Sequence, residues 1–135
     1  GYNSLTNFAI DRIEDIKETG KTFEPLPDGF DFEEFYSDVV GVSVTPDAPV
    51  YDVTLHITSK ALRYIMTKPL HESQKVMKDP LTDGRYEVHL NVQDNYELRS
   101  LLLSRGDEIE VVAPQCIRDE IKQIVENLCK AYQSK

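Results

Sequence analysis

The chain has 135 residues, 40% hydrophobic and 29% charged, which is the composition of an ordinary globular protein. No apolar run reaches the roughly 20 residues that cross a bilayer, and the N-terminus lacks the pattern of a signal peptide. The net charge of −9 argues against nonspecific nucleic-acid binding by the chain as a whole, because that binding depends on neutralising phosphates.

The charge is distributed unevenly along the sequence. Residues 1–49 carry 11 acidic and 3 basic side chains, a balance of −8, whereas residues 50–135 carry 13 and 12, a balance of −1. Such a change in charge density predicts two parts with different roles. Within the second part, the stretch from Lys60 to Arg85 is locally basic.

The first 49 residues predict a lone strand, a linker and an acidic helix. Apolar and polar side chains alternate within residues 1–19, which predicts a strand whose partner strands lie outside this sequence. Residues 20–49 are rich in Pro and Gly at both ends and predict a linker. Inside it, Asp31 can cap a helix that Gly41 ends, and four apolar side chains follow helical spacing there, namely Phe32, Phe35, Tyr36 and Val39.

From residue 50 onward the periodicity becomes regular. Residues 50–58 alternate strictly and predict a strand with one buried face. Ser59 is the predicted cap of a helix that Pro69 stops, with three side chains directed inward, namely Leu62, Ile65 and Met66. Residues 73–79 then predict a weak strand.

The remaining residues predict two further strands and two helices. Residues 85–93 alternate strongly and predict a strand, and Asp94 with Glu97 resembles a capping box that begins a helix. Residues 108–113 predict the last strand. The final helix has an apolar stripe that we expect to lie mainly in the core, with a dimer surface as the alternative; it consists of Ile117, Ile121, Ile124, Val125, Leu128 and Tyr132.

The predicted order is strand, helix, strand, strand, helix, strand, followed by a helix. This is the order of an α+β, ferredoxin-like βαββαβ unit over residues 50–135, with an added C-terminal helix and with the lone strand and acidic helix in front of it. In the usual strand order of that fold the first and third strands are central neighbours. His56 and His89 would then project from the same sheet face, opposite the first two helices.

The two cysteines are predicted to be unpaired. Cys116 and Cys129 fall on one predicted helix, about 20 Å apart along its axis. A disulfide requires Cα atoms within about 7 Å. Unpaired cysteines fit a reducing cytoplasm, and we expect two half-buried small side chains.

The run KPLHESQKV, residues 68–76, is the first candidate site. Lys68, His71, Ser73 and Gln74 offer a cation, a switchable donor or acceptor, a hydroxyl and an amide, and Arg63 lies shortly before them. One reading is a turn whose side chains bond its own backbone. The other is contact with an anionic ligand or a neighbouring domain. Catalysis is disfavoured, because no acidic orienting group or oxyanion donor is recognisable.

The open sheet face is the second candidate site. His56, Glu87 and His89 would lie side by side there with Thr54 and Asn91. Two imidazoles and a carboxylate could ligate a metal, although we favour no metal at this position. A base-stacking platform is weakened by the absence of aromatic residues from that face. The third reading is a polar face packed on the acidic helix or on a partner.

Four stretches, in this order, resemble the C-terminal part of WYL-domain transcriptional regulators: NFAIDRI at 7–13, FDFEEFYSDVVGV at 30–42, RYIMTKPLHESQ at 63–74 and LLSRGDEIEVVAPQCIRDEI at 102–121. The first is similar to the closing strand of the WYL domain, a small Sm-like β-barrel. The others are similar to the appended ferredoxin-like extension called WCX, in which Lys68, His71, Ser73 and Gln74 match a recurring run.

The resemblance implies a non-catalytic, effector-sensing or oligomerising portion of a bacterial DNA-binding regulator. It implies a homodimer, a nucleotide or nucleic-acid-like effector, no cofactor, and DNA contact through an N-terminal winged helix that this sequence does not include. It places the start of the sequence just inside the end of a WYL domain. The alternative is a free-standing ferredoxin-like module that binds a small molecule or a metal.

Overall fold

A computed structural model describes residues 5–134, and residues 1–4 and 135 of the predicted strand and helix lie outside that range. Its secondary structure consists of four strands and four α-helices, with short 3-10 turns at Ile10–Arg12 and Gly106–Glu108. In chain order the elements are α1 (Phe32–Tyr36), β1 (Val50–Ile57), α2 (Ser59–Thr67), β2 (Lys75–Val76), β3 (Tyr86–Gln93), α3 (Tyr96–Leu103), β4 (Ile109–Ala113) and α4 (Gln115–Gln133).

The strands form one antiparallel sheet in the order β2-β3-β1-β4, so β1 and β3 are central neighbours as predicted. Strict alternation explains the two-faced sheet, because successive side chains of a strand point to opposite sides. On one side Val53, Leu55 and Ile57 of β1 are fully buried. They form a core with residues from the other long strands, α2, α3 and the first turn of α4. The predicted α+β class is therefore confirmed.

Both predicted caps of the core helices are displaced by one residue. Thr58, not Ser59, caps α2, and its hydroxyl accepts a hydrogen bond from the amide of Ala61. Asn95, not Asp94, caps α3 and accepts from the amide of Leu98. In each case the capping residue has the extended backbone that a cap requires.

The inward face of α2 also differs from the prediction. Ile65 is fully buried as predicted, but Met66 is 63% exposed and Leu62 is only partly buried. Ala61 takes a buried position instead. The core face of α2 is therefore centred on Ala61 and Ile65, which lie one helical turn apart, and Met66 faces away from it.

The predicted N-terminal strand is wrong for the residues that the structure describes. A 3-10 turn occupies Ile10–Arg12, and the flanking residues have no regular structure. Phe8 and Ile16 are about 80% exposed. A strand requires a partner for its backbone groups, and none of the strands between residues 5 and 134 pairs with this segment.

The acidic helix forms, but it is shorter than predicted. Asp31 caps α1 as expected, with its carboxylate accepting from the amide of Glu33. The helix ends at Tyr36 rather than near Gly41, and Val39, predicted as its last apolar position, lies beyond it and is 4% exposed. Residues 38–45 instead follow an irregular path against the sheet domain.

The stripe of α4 is largely exposed, contrary to the prediction of a core position. Ile117 is fully buried and Ile121 is partly buried. The exposed side chains are Ile124, Val125, Leu128 and Tyr132, with exposed fractions rising from 38% to 81%. Cys116 and Cys129 are free and exposed, not half-buried. No helix among the described residues is long and apolar enough to cross a membrane.

Candidate functional site

Gln74 is a structural tie between the end of α2 and the loop that follows. Its side-chain oxygen accepts a hydrogen bond from the amide of Leu70 at 2.9 Å. Its side-chain nitrogen donates to the carbonyl of Ile65 at 3.2 Å. Ile65 and Leu70 are both buried. Gln74 therefore satisfies backbone groups that water does not reach easily. For this residue the structure favours the self-bonded turn over a ligand contact.

His71 and Ser73 form a second tie, directed toward β3. The nitrogen Nδ1 of His71 lies 2.8 Å from the hydroxyl of Ser73 and accepts from the backbone amide of Ser73 at 3.2 Å. The same hydroxyl accepts from the amide of Asn91 at 2.9 Å and lies 3.2 Å from its carbonyl oxygen. Because the amide of Ser73 donates to Nδ1, Nε2 is the ring nitrogen that can act as a donor, and it makes no hydrogen bond with a residue between 5 and 134.

Arg63 and Lys68 are exposed and stand apart from this network. Arg63 lies in α2 and Lys68 is the residue that ends it. Neither side chain makes a hydrogen bond or an ion pair with a residue between 5 and 134. The structure therefore joins His71, Ser73 and Gln74, and leaves the two cations available near the same helix end.

A groove of about 470 Å³ lies between α1 and the loop that carries His71. Its lining comes from both sides: Glu33, Tyr36 and Ser37 from α1 and its end, and His71 and Glu72 from the loop. The sequence did not indicate Glu33, Tyr36 or Ser37 as site residues. They could not be found from the sequence, because α1 and the loop are more than 30 residues apart and no periodicity relates them.

On the open sheet face, His56 and His89 both lie close to the carboxylate of Glu87. Glu87 lies opposite His56 in the β1–β3 register. One carboxylate oxygen of Glu87 is 2.9 Å from Nε2 of His89, and the other is 3.5 Å from Nε2 of His56. The remaining ring nitrogen of His89, Nδ1, lies 2.9 Å from a carboxylate oxygen of Asp52. His89 thus bridges two carboxylates.

This geometry favours a charged imidazolium rather than a metal ligand. Hydrogen bonds to Glu87 and to Asp52 raise the pKa of His89, with partial burial opposing the rise. The hydrogen bond from His89 in turn lowers the pKa of Glu87. An imidazole that donates from both nitrogens has no lone pair for a metal. Among the described residues no group of three or more potential ligands is arranged to hold a metal ion.

The predicted site on this face did not include Asp52. The alternation of residues 50–57 already placed Asp52 on the face of Thr54 and His56, so the signal was present in the sequence. The prediction also missed an ion cluster at the other side of β1. Glu110 accepts from the guanidinium groups of both Arg85 and Arg118, and these hydrogen bonds lower the pKa of Glu110.

Replacing His89 with Gln is expected to flatten part of the pH dependence of stability. A raised folded-state pKa means that the contribution of His89 is fully present below its ordinary pKa of about 6.5 and is lost as the pH rises through the folded-state value. The urea midpoint of the wild type should therefore fall relative to that of His89→Gln as the pH rises from about 6.5 into the alkaline range. A difference that stays constant across this range would contradict the bridging role.

Comparison with known protein families identifies a domain in this chain. The family model of the WCX domain matches residues 49–129, which is more than half of the chain and includes every strand of the sheet. The comparison detects neither a WYL domain nor a catalytic family. No curated protein matches the chain.

Proposed function

Because the chain belongs to the WCX domain family, the C-terminal extension found in WYL-domain regulators, we propose that it is the effector-sensing portion of a bacterial transcriptional regulator. The order of its elements and the strand order β2-β3-β1-β4 support a ferredoxin-like βαββαβ unit. In this proposal the unit is non-catalytic and works in the bacterial cytoplasm as a homodimer. DNA is contacted by a separate domain.

The observation that carries the proposal is the surface at the end of α2. Arg63 and Lys68 are exposed cations, and His71 presents a free Nε2 donor beside them in sequence. Gln74 and Ser73 hold the loop in place through the ties described above. A rigid loop loses little conformational entropy when a ligand binds, which favours recognition by the donors it presents.

The donors define the chemical class of the effector. Two cations and a ring N–H donor suit phosphate and base edges, so the proposed effector is a nucleotide or a short nucleic-acid-like anion. The proposal assigns ligand contact to Arg63, Lys68 and His71, and a supporting role to Ser73 and Gln74. The predicted set of five residues is thereby divided into contacts and supports.

The proposal is tested by fluorescence anisotropy with a labelled, 5′-phosphorylated single-stranded trinucleotide. The double variant Lys68→Ala/His71→Ala is expected to weaken binding at least about tenfold, because it removes one cation and one donor. Lys122→Ala is the matched control: it removes one exposed cation from α4, and its affinity should equal that of the wild type. Cooperative urea unfolding of each variant checks that it is folded under the conditions of the binding measurement.

Two results would overturn the proposal. The first is an absence of binding by the wild type at millimolar protein. The second is equal affinity in the wild type and the double variant. In a protein that joins this chain to its DNA-binding domain, the double variant should also remove the effect of the probe on operator binding. A response that persists would exclude this loop as the sensor.

A further inference from the structure

Residues 38–45, which we call the strap, pass over the junction of β3 and α3. The amide of Gln93 donates to the carbonyl of Asp38 at 2.7 Å, and the side-chain oxygen of Gln93 accepts from the amide of Thr45 at 3.1 Å. Val39 of the strap is 4% exposed, and Val40 packs against the core. The strap therefore belongs to the packed unit, although it lies before the first strand.

Two side chains at the N-terminal end of α3, Asn95 and Glu97, form hydrogen bonds with the middle of the strap. The side-chain nitrogen of Asn95 donates to the carbonyls of Val40 and Ser43 at 2.9 and 3.1 Å. A carboxylate oxygen of Glu97 accepts from the hydroxyl of Ser43 at 2.7 Å. Gln93 and Asn95 are both buried, at 7% and 6% exposure. Buried polar groups of this kind need their partners, so they favour the docked strap.

The backbone of the strap comes closest to α3 at Gly41. Its φ angle is +76°, a conformation that side-chain-bearing residues rarely adopt. A Cβ atom added there would lie 2.7 Å from Cγ of Glu97. Any larger residue at this position would combine backbone strain with a steric clash against the very side chain that holds Ser43.

The helix α1 has little packing of its own to hold it in place. It has five residues and no buried one, and an isolated helix of that length is unstable. Its position is set by the strap that follows it and by Asn7. The side chain of Asn7 donates to the carbonyl of Val42 at 2.9 Å and accepts from the hydroxyl of Tyr36 at 2.9 Å.

From these contacts we infer that docking of the strap positions α1 as one wall of the His71 groove and couples that groove to the N-terminal residues. Undocking would withdraw Glu33, Tyr36 and Ser37 from the groove and break the bonds of Asn7. Conversely, a ligand that bridges the two walls favours the docked state, because it binds that state more tightly. The link to an effector rests on the proposed function; the mechanical coupling does not.

Gly41→Ala tests the coupling, with Gly84→Ala as the matched control. Both glycines have φ near +80°, but a Cβ atom at Gly84 would meet nothing within 4 Å. Hydrogen exchange should accelerate at least about tenfold at Val42 and Thr45 in Gly41→Ala only. In the same variant, and not in the control, the NMR signals of the His71 ring and of the Asn7 side-chain amide should shift.

The inference is overturned if strap exchange is unchanged in Gly41→Ala, or if it rises while the signals of His71 and Asn7 stay in place. The trinucleotide probe separates this inference from the proposed function. Weaker binding by Gly41→Ala than by Gly84→Ala supports both. If the NMR signals of His71 and Asn7 shift in Gly41→Ala but the protein never binds the probe, the coupling through the strap is supported. Only the proposed function is then overturned.

Discussion

Ile117→Ala is expected to lower the free energy of unfolding by about 2–5 kcal/mol, whereas Leu128→Ala should change it by less than about 0.5 kcal/mol. Both residues belong to the apolar stripe of α4. Ile117 is fully buried, so its truncation leaves a cavity in the core. Leu128 is 53% exposed and has little packing to lose. Urea unfolding of the two variants measures the contrast directly.

The comparison of Ile117 and Leu128 also tests whether the exposed half of α4 is covered in solution. If Leu128→Ala destabilised the protein as strongly as Ile117→Ala, Leu128 would be buried against something outside the described chain. A second copy would make the unfolding midpoint depend on protein concentration, because association stabilises the folded state by mass action. A silent Leu128→Ala matches the exposed position that the structure gives this side chain.

Asn95→Ala should lower the free energy of unfolding by about 2–4 kcal/mol, since one substitution removes a helix cap and two bonds to the strap. The amide of Leu98 and the carbonyls of Val40 and Ser43 would each lose a partner. Asn95 is 6% exposed, so water replaces these bonds poorly. Urea unfolding gives the magnitude, and a loss below about 0.5 kcal/mol would contradict it.

Asn95→Asp separates the two roles of this side chain. Aspartate keeps an oxygen for the amide of Leu98 but turns a second oxygen toward the carbonyls of Val40 and Ser43, which repel it. Hydrogen exchange should therefore accelerate in the strap while the first turn of α3 stays protected. In Asn95→Ala both segments should exchange faster. Strap exchange in Asn95→Asp that stays as slow as in the wild type would contradict the assignment of Nδ2 to the strap.

The sheet could be predicted from the sequence because apolar and polar residues alternate along its two central strands. Residues 50–57 and 86–93 alternate strictly, and one buried face on each strand places His56 and Glu87 on the same open face. The segment containing Phe8 and Ile16 shows a similar alternation yet forms no strand. Alternation describes which side chains share a face, but a strand also requires a neighbour for its backbone.

For the helices, too, the sequence pattern showed which side chains share a face but not what packs against that face. Helical spacing established that α4 is amphipathic, but it could not say what covers the apolar side, and only Ile117 and Ile121 meet the core. The caps were ambiguous because two adjacent residues could serve in each case, Thr58 or Ser59 and Asp94 or Asn95. Backbone conformation decides between such neighbours, and it depends on the packing of the whole unit.

For the first candidate site, the residue types indicated a polar, hydrogen-bonding loop, but they did not indicate which partner each side chain has. The sequence drew attention to the run from Lys68 to Gln74, but Gln74 and Ser73 bond backbone groups of Ile65 and Asn91 that no local pattern identifies. The structure gives His71, Ser73 and Gln74 internal hydrogen bonds, whereas ligand contact by this loop stays a proposal. On the sheet face His56 and His89 both lie close to Glu87, and the charge bridge through Asp52 was not predicted.

The hydroxyl of Ser73 has a consequence for how this sheet ends. The strand β2 is only two residues long, and beyond it Asn91 of β3 would present its amide and carbonyl at an open edge. Ser73 occupies both groups with one oxygen atom. Free edges of β-sheets recruit strands from other molecules and seed aggregates. A single side chain thus closes this edge against unwanted pairing, without adding another residue to the strand.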